Sequence, residues 1–81
     1  MSHYIISFLV VIDGKHTEHG QIGSVSSEPG DYKPNKVKKT IDEQYRKRFP
    51  DAKSVAIKIL EVVTVTSTEY VEASKKFIEF I

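Results

Sequence analysis

The sequence predicts an α+β domain in the order β-β-α-β-α: a three-stranded antiparallel sheet of order 2-1-3, one helix on a face of that sheet, and a C-terminal amphipathic helix. Three observations carry this. Asp13-Gly14 separates two strand-like runs, Val37, Ile41, Tyr45 and Phe49 recur every four residues, and Ser54–Thr66 is dominated by Val and Ile. With 81 residues and 9.2 kDa the chain has material for one apolar core. Residues 1–81 therefore read as a single domain, with a ββαβ core over 1–66 and a helix over 67–81 for docking or dimerisation.

Tyr4–Ile12 is rich in β-branched and aromatic residues and is apolar on both faces, the pattern of a central strand. The return strand, roughly Lys15–Val25, is more polar, as befits a sheet edge. Its Gly20 and Gly23 suggest a bulge or bend. Ser26–Lys33 carries loop-forming Ser, Pro-Gly and Asp. Pro34 suits a first helical turn, and Pro50 ends the helix because the residue before proline avoids helical dihedrals. In the third strand Val55, Ile57 and Ile59 alternate until the parity changes, so a bulge is expected near Leu60 or Glu61. Thr66-Ser-Thr-Glu69 matches a capping box, and Tyr70, Val71, Ser74, Phe77, Ile78 and Ile81 follow at helical spacing.

Composition narrows the function. There is no Cys, hence no disulfide framework, thiol nucleophile or Cys-based metal site, and a reducing cytoplasm is the expected location. The net charge of +1 implies no partner by itself, and the longest apolar stretch is too short to span a bilayer. His16-Thr-Glu-His19 resembles metal ligands, yet residues three apart on a regular strand point to opposite faces. Asp42 and Glu43 diverge on a helix, Ser24, Ser26 and Ser27 lack a nucleophile-elbow turn, and Gly20-Gln-Ile-Gly23 lacks the rest of a phosphate loop. The expectation is no enzyme, no catalytic residues, no cofactor and no metal.

The electrostatic signal is local. Between Lys33 and Arg48 seven cations face only Asp42 and Glu43, so the rest of the chain is net negative. Lysines in the first helical turns oppose the macrodipole, whereas Arg46, Lys47 and Arg48 complement it. Lys36, Lys39, Arg46 and Lys47 on the helix, with His16, Glu18 and His19 on the hairpin, are the candidate partner-binding residues. Phosphates are an alternative target of the basic helix 33–48. Tyr70, Phe77, Ile78, Phe80 and Ile81 are the candidate docking residues, against the sheet or against a second copy in a regulatory homodimer.

Tyr4-Ile-Ile-Ser-Phe8 opening a hairpin, Gly20 and Gly23 in the return strand, the amphipathic helix and Val55-Ala-Ile-Lys-Ile59 together resemble small phage and prophage accessory proteins. The resemblance covers about residues 3–65 and leaves out the segment from Ser67. It implies a class: short, cysteine-free proteins of the bacterial host cytoplasm that bind and block a host protein or ribonucleoprotein complex, including anti-CRISPR-like inhibitors of defence systems. It transfers no site residue.

Overall fold

In the computed structural model, which describes residues 1–81, β1 (Ser2–Ile12) is the strand around which everything else is arranged. Its Tyr4, Ile6, Phe8, Val10 and Ile12 are all buried, and the alternate set is half-buried. Asp13 and Gly14 adopt left-handed dihedrals (φ 52° and 67°), and the Lys15 amide donates to the Ile12 carbonyl at 3.0 Å. The chain then returns as β2 (His16–Ser26), antiparallel to β1 in unbroken register from Ser2↔Ser26 to Ile12↔His16. No bulge interrupts β2, so its glycines serve a different purpose from the expected bend. A Cβ at Gly20 would lie 2.6 Å from the Phe8 ring on one face, and one at Gly23 would lie 2.5 Å from the Phe77 ring on the other. Each glycine is a slot for an aromatic ring.

α1 (Pro34–Arg48) starts at proline and buries Val37, Ile41 and Tyr45 against the Tyr4–Ile12 face. Tyr45 meets Phe8 edge-on with ring centroids 6.0 Å apart. β3 (Val55–Val65) pairs antiparallel with β1 on the side away from β2. Its register passes from Phe8↔Ile59 to Ser7↔Glu61, leaving Leu60 as the one extra residue of a bulge. Asp13 anchors the start of β3: its carboxylate accepts from the Lys53 and Ser54 amides at 2.7 and 2.9 Å, and its own amide donates to the Ser54 carbonyl. These backbone donors hold the Asp13 carboxyl below its ordinary value of 3.8.

The C-terminal segment corrects the expected fold class. α2 covers only Ser67–Ala73, capped by reciprocal 3.1 Å bonds between Thr66 and Glu69. A single 3₁₀ turn, Ser74–Lys76, follows, and Phe77–Phe80 is a strand, β4, parallel to β2. The sheet is thus four-stranded and mixed, of order β3-β1-β2-β4, instead of three-stranded and antiparallel. The element order is β-β-α-β-α-β, and no helix occupies 67–81 as a whole. Backbone satisfaction explains the outcome: β4 pairs with the outer side of β2, the Ile81 amide donating to Gly23 at 2.8 Å and the Val25 amide to Ile81 at 3.2 Å. Three residues of β4 span two of β2, Gln21↔Phe77 and Gly23↔Phe80, so β4 is itself bulged.

β2, β3 and β4 all run the same way, antiparallel to β1. The β2-α1-β3 crossover moves across the sheet in one direction and β3-α2-β4 in the other. Crossovers of one hand then require helices on opposite faces, which is what is found. α1 covers the Tyr4–Ile12 face, while Tyr70 of α2 packs 5.2 Å from the His3 ring on the other. No helix is long and apolar enough to cross a membrane.

Candidate partner-binding surfaces

Burying Val37, Ile41 and Tyr45 turns the opposite side of α1 to solvent, where Lys36, Lys39, Glu43, Arg46 and Lys47 are all exposed. The cations differ in availability. Arg46 is held by Asp42, one turn back, through Nε at 2.9 and 3.0 Å from both carboxylate oxygens. Lys36, Lys39 and Lys47 make no ion pair within the chain. Glu43 sits four residues from both Lys39 and Lys47, in the middle of the same face.

At the C-terminal end of α1 a second cluster forms. Arg48 lies 3.1 Å from Glu18 and places its guanidinium 5.2 Å from the Tyr45 ring centroid and 5.7 Å from that of Phe49. His16 Nε2 is 2.7 Å from the other Glu18 oxygen, and its ring is 5.4 Å from Phe49. The His16 hydrogen bond, with the Arg48 charge adding, holds the Glu18 carboxyl below its ordinary value. Burial pushes the Tyr45 hydroxyl up. A shallow cavity of about 320 Å³ opens beside this cluster, lined by Arg48, Phe49, Pro50 and the Asp13 turn.

The hairpin candidates divide. His16 and Glu18 stand opposite Ile12 and Val10 and so join the α1 side, whereas His19 stands opposite Leu9 on the other face. There it lines a separate cavity of about 410 Å³ with Ser7, Gly20, Gln21 and Lys76. The structure therefore unites six of the seven partner-binding candidates on one side of the molecule and places His19 on the other. No three potential ligating side chains converge to hold a metal. Ser24 and Ser26 are buried and fix the loop that leads into α1: Ser24 donates to the Tyr32 carbonyl at 2.9 Å and Ser26 accepts from the Glu28 amide at 3.1 Å.

The candidate docking residues form a second, aromatic assembly. Tyr70, Phe77 and Phe80 pack with centroids 5.3 to 6.1 Å apart, under His3 and over Gly23. Ile78 and Ile81 pack instead against the main core on the α1 side. Phe80 and Val71 keep 52% and 67% of their surface in solvent, so this end of the molecule retains exposed apolar area. Two contributions escaped the sequence reading: Gly23 as the seat of the Phe77 ring, and Asp13 as the clamp on β3. The first had a signal, a glycine on an edge strand upstream of an aromatic-rich terminus. No family model, curated protein or solved structure matches the chain.

Proposed function

We propose that this protein is a non-enzymatic binding module of phage or mobile-element origin that acts in the bacterial cytoplasm by occupying a host protein complex, as inhibitors of defence systems do. The observation that carries the reading is the row of unpaired cations Lys36, Lys39 and Lys47 on the outer face of α1, spread over roughly 16 Å at the helical rise. Its mounting is rigid, since the opposite face of α1 is locked by three buried side chains. The resemblance of the hairpin, glycines and third strand to small phage accessory proteins supports the same class.

The composition of the row favours an acidic protein surface over nucleic acid. Glu43 lies between Lys39 and Lys47, and Asp42 already neutralises Arg46. A phosphate backbone would repel the first and find the second spent, whereas a protein surface of mixed charge accommodates both. The test is affinity capture from bacterial lysate with the intact chain and with a K36E/K39E/K47E variant, with and without nuclease. The expected result is a stoichiometric protein partner that survives nuclease and is lost, or bound at least about tenfold more weakly, by the folded variant. A partner retained by the triple reversal removes α1 from the interface. Binding abolished by nuclease and falling steeply with salt makes the helix a nucleic-acid-binding element instead.

A further inference from the structure

β3 forms one edge of the sheet, and no segment of the chain pairs with its outer side along the 11 residues Val55–Val65. Leu60 and Val63 remain 48% and 40% exposed there, and Lys58 and Glu61 have no ion-pair partner in the chain. An uncovered edge of this length is a template for another strand. The bulge decides which strand fits. Before it, Val55, Ile57 and Ile59 stand opposite Ile12, Val10 and Phe8 on the α1 face; after it, Val62 and Thr64 stand opposite Ile6 and Tyr4 on that same face. Leu60 thus switches the α1-facing positions from odd to even numbers. A strictly alternating strand matches one half of this edge or the other. A strand with the same extra residue at the same level matches both, and β3 of a second copy is such a strand.

We infer that two copies of this chain associate by antiparallel pairing of their β3 edges around a two-fold axis between Ile59 and Leu60. In this register Ile57 faces the partner's Val62 and Val55 the partner's Thr64 on the α1 side. On the other side Ala56 faces the partner's Val63 and Lys58 the partner's Glu61. The two bulges oppose each other, so neither strand loses step. The charged pair occurs twice by symmetry and gives both orphan charges a partner. The neighbouring registers along the full strand fit less well. A slip by one residue sets α1-face side chains against those of the opposite face. The next face-matched register puts Lys58 against Val63 and Glu61 against Leu60, leaving both charges unpaired. The product is a continuous eight-stranded sheet that carries both copies of α1 on one side, which displays the basic row in duplicate.

Sedimentation of the intact chain over a concentration series tests this, with circular dichroism as the check on folding. The expected species has twice the 9.2 kDa chain mass. K58E or E61K alone sets like charges opposite each other at both sites and weakens the dimer about tenfold, and the K58E/E61K double variant restores it. Because the chain has no Cys, A56C chains mixed with V63C chains provide an independent reading: oxidation joins the two kinds to each other in preference to themselves. A chain that stays at 9.2 kDa at every concentration overturns the proposal and leaves the edge to a strand of another protein. A dimer indifferent to the single reversals, or lacking the mixed disulfide, overturns it by placing the interface elsewhere. Neither outcome bears on α1, so this inference and the partner-binding reading fail separately.

Discussion

The two edges of the sheet are finished in opposite ways. On the β2 side the first half of the strand is polar, with His16, Thr17, Glu18 and His19, and the second half is taken by β4 with its own backbone bonds and an aromatic cluster. On the β3 side 11 residues rich in Val and Ile stand bare, guarded by one lysine and one bulge. A chain of this size has few residues to spare for covering edges. Residues 77–81 close the β2 edge, and the more apolar β3 edge carries no partner strand. The contrast separates the edges experimentally, because the closed one contributes to stability and the bare one, in the pairing inferred above, to association.

The largest expected effect comes from breaking the closed edge. Tyr70 is only 8% exposed and is the one buried residue of α2, where it joins His3, Phe77 and Phe80. Burial also pushes its hydroxyl above the ordinary tyrosine value. Tyr70→Ala leaves a cavity beneath a seven-residue helix that has no other buried anchor, and about 3 kcal/mol of stability is expected to go, measured by urea unfolding. Gly23→Val is the sharper probe of the same edge. Its side chain would have to displace the Phe77 ring and the Tyr70 hydroxyl, at a cost of about 1 to 3 kcal/mol. Hydrogen exchange should then accelerate at the Ile81 and Val25 amides, which bond across the β2–β4 junction, while the β1–β3 amides keep their protection. Equal acceleration on both sides of the sheet would mean that β4 is integral to the whole fold and that the two edges are not independent.

Why the closed edge was misread follows from its geometry. In β4 the bulge puts Phe77 and Phe80 on one face and Ile78 and Ile81 on the other, so like residues recur three apart. That is helical spacing, and the capping box at Thr66 and Glu69 starts a true helix just upstream. Period alone cannot distinguish a bulged strand from a helix over five residues, and the deciding factor, the open backbone of β2, lies more than fifty residues away in sequence. Where periodicity runs long it sufficed. β1 with its alternating burial, α1 with its four-residue repeat and β3 with its parity change at Leu60 were all legible. The exposed row on α1 was legible for the same reason, since it is the complement of a buried stripe. The split of His19 from His16 was legible as well, since residues three apart on a regular strand point to opposite faces and β2 keeps regular register through its glycines.

Asp13 gives the smallest and most local effect, on the tether that positions the bare edge. Its carboxylate holds the Lys53 and Ser54 amides just before β3, and its φ of 52° is a conformation that Asp and Asn accept more readily than other non-glycine residues. Those amides lower its folded-state affinity for protons, so its contribution is present above its ordinary value of 3.8 and is lost as pH falls through the lower folded value. Glu18 and Glu69 are shifted in the same direction, from an ordinary 4.5, and add to an acid sensitivity that begins near that pH and grows below it. Asp13→Asn keeps the left-handed turn and a carbonyl acceptor while removing the charge. It is expected to lower stability at pH 7 by what the carboxylate contributes there and to match the unmodified chain once Asp13 is protonated, which flattens the acid limb of the stability curve, with faster exchange confined to the Lys53 and Ser54 amides. An acid limb identical to that of the unmodified chain would assign the sensitivity to Glu18 and Glu69. Asp13→Ala removes the acceptor as well and strains the turn, so it should loosen the start of β3. If the bare edge pairs as inferred, that variant should also dissociate more readily than Asp13→Asn, because Val55, the first residue of β3 and part of the outermost pair of the proposed interface, directly follows Ser54.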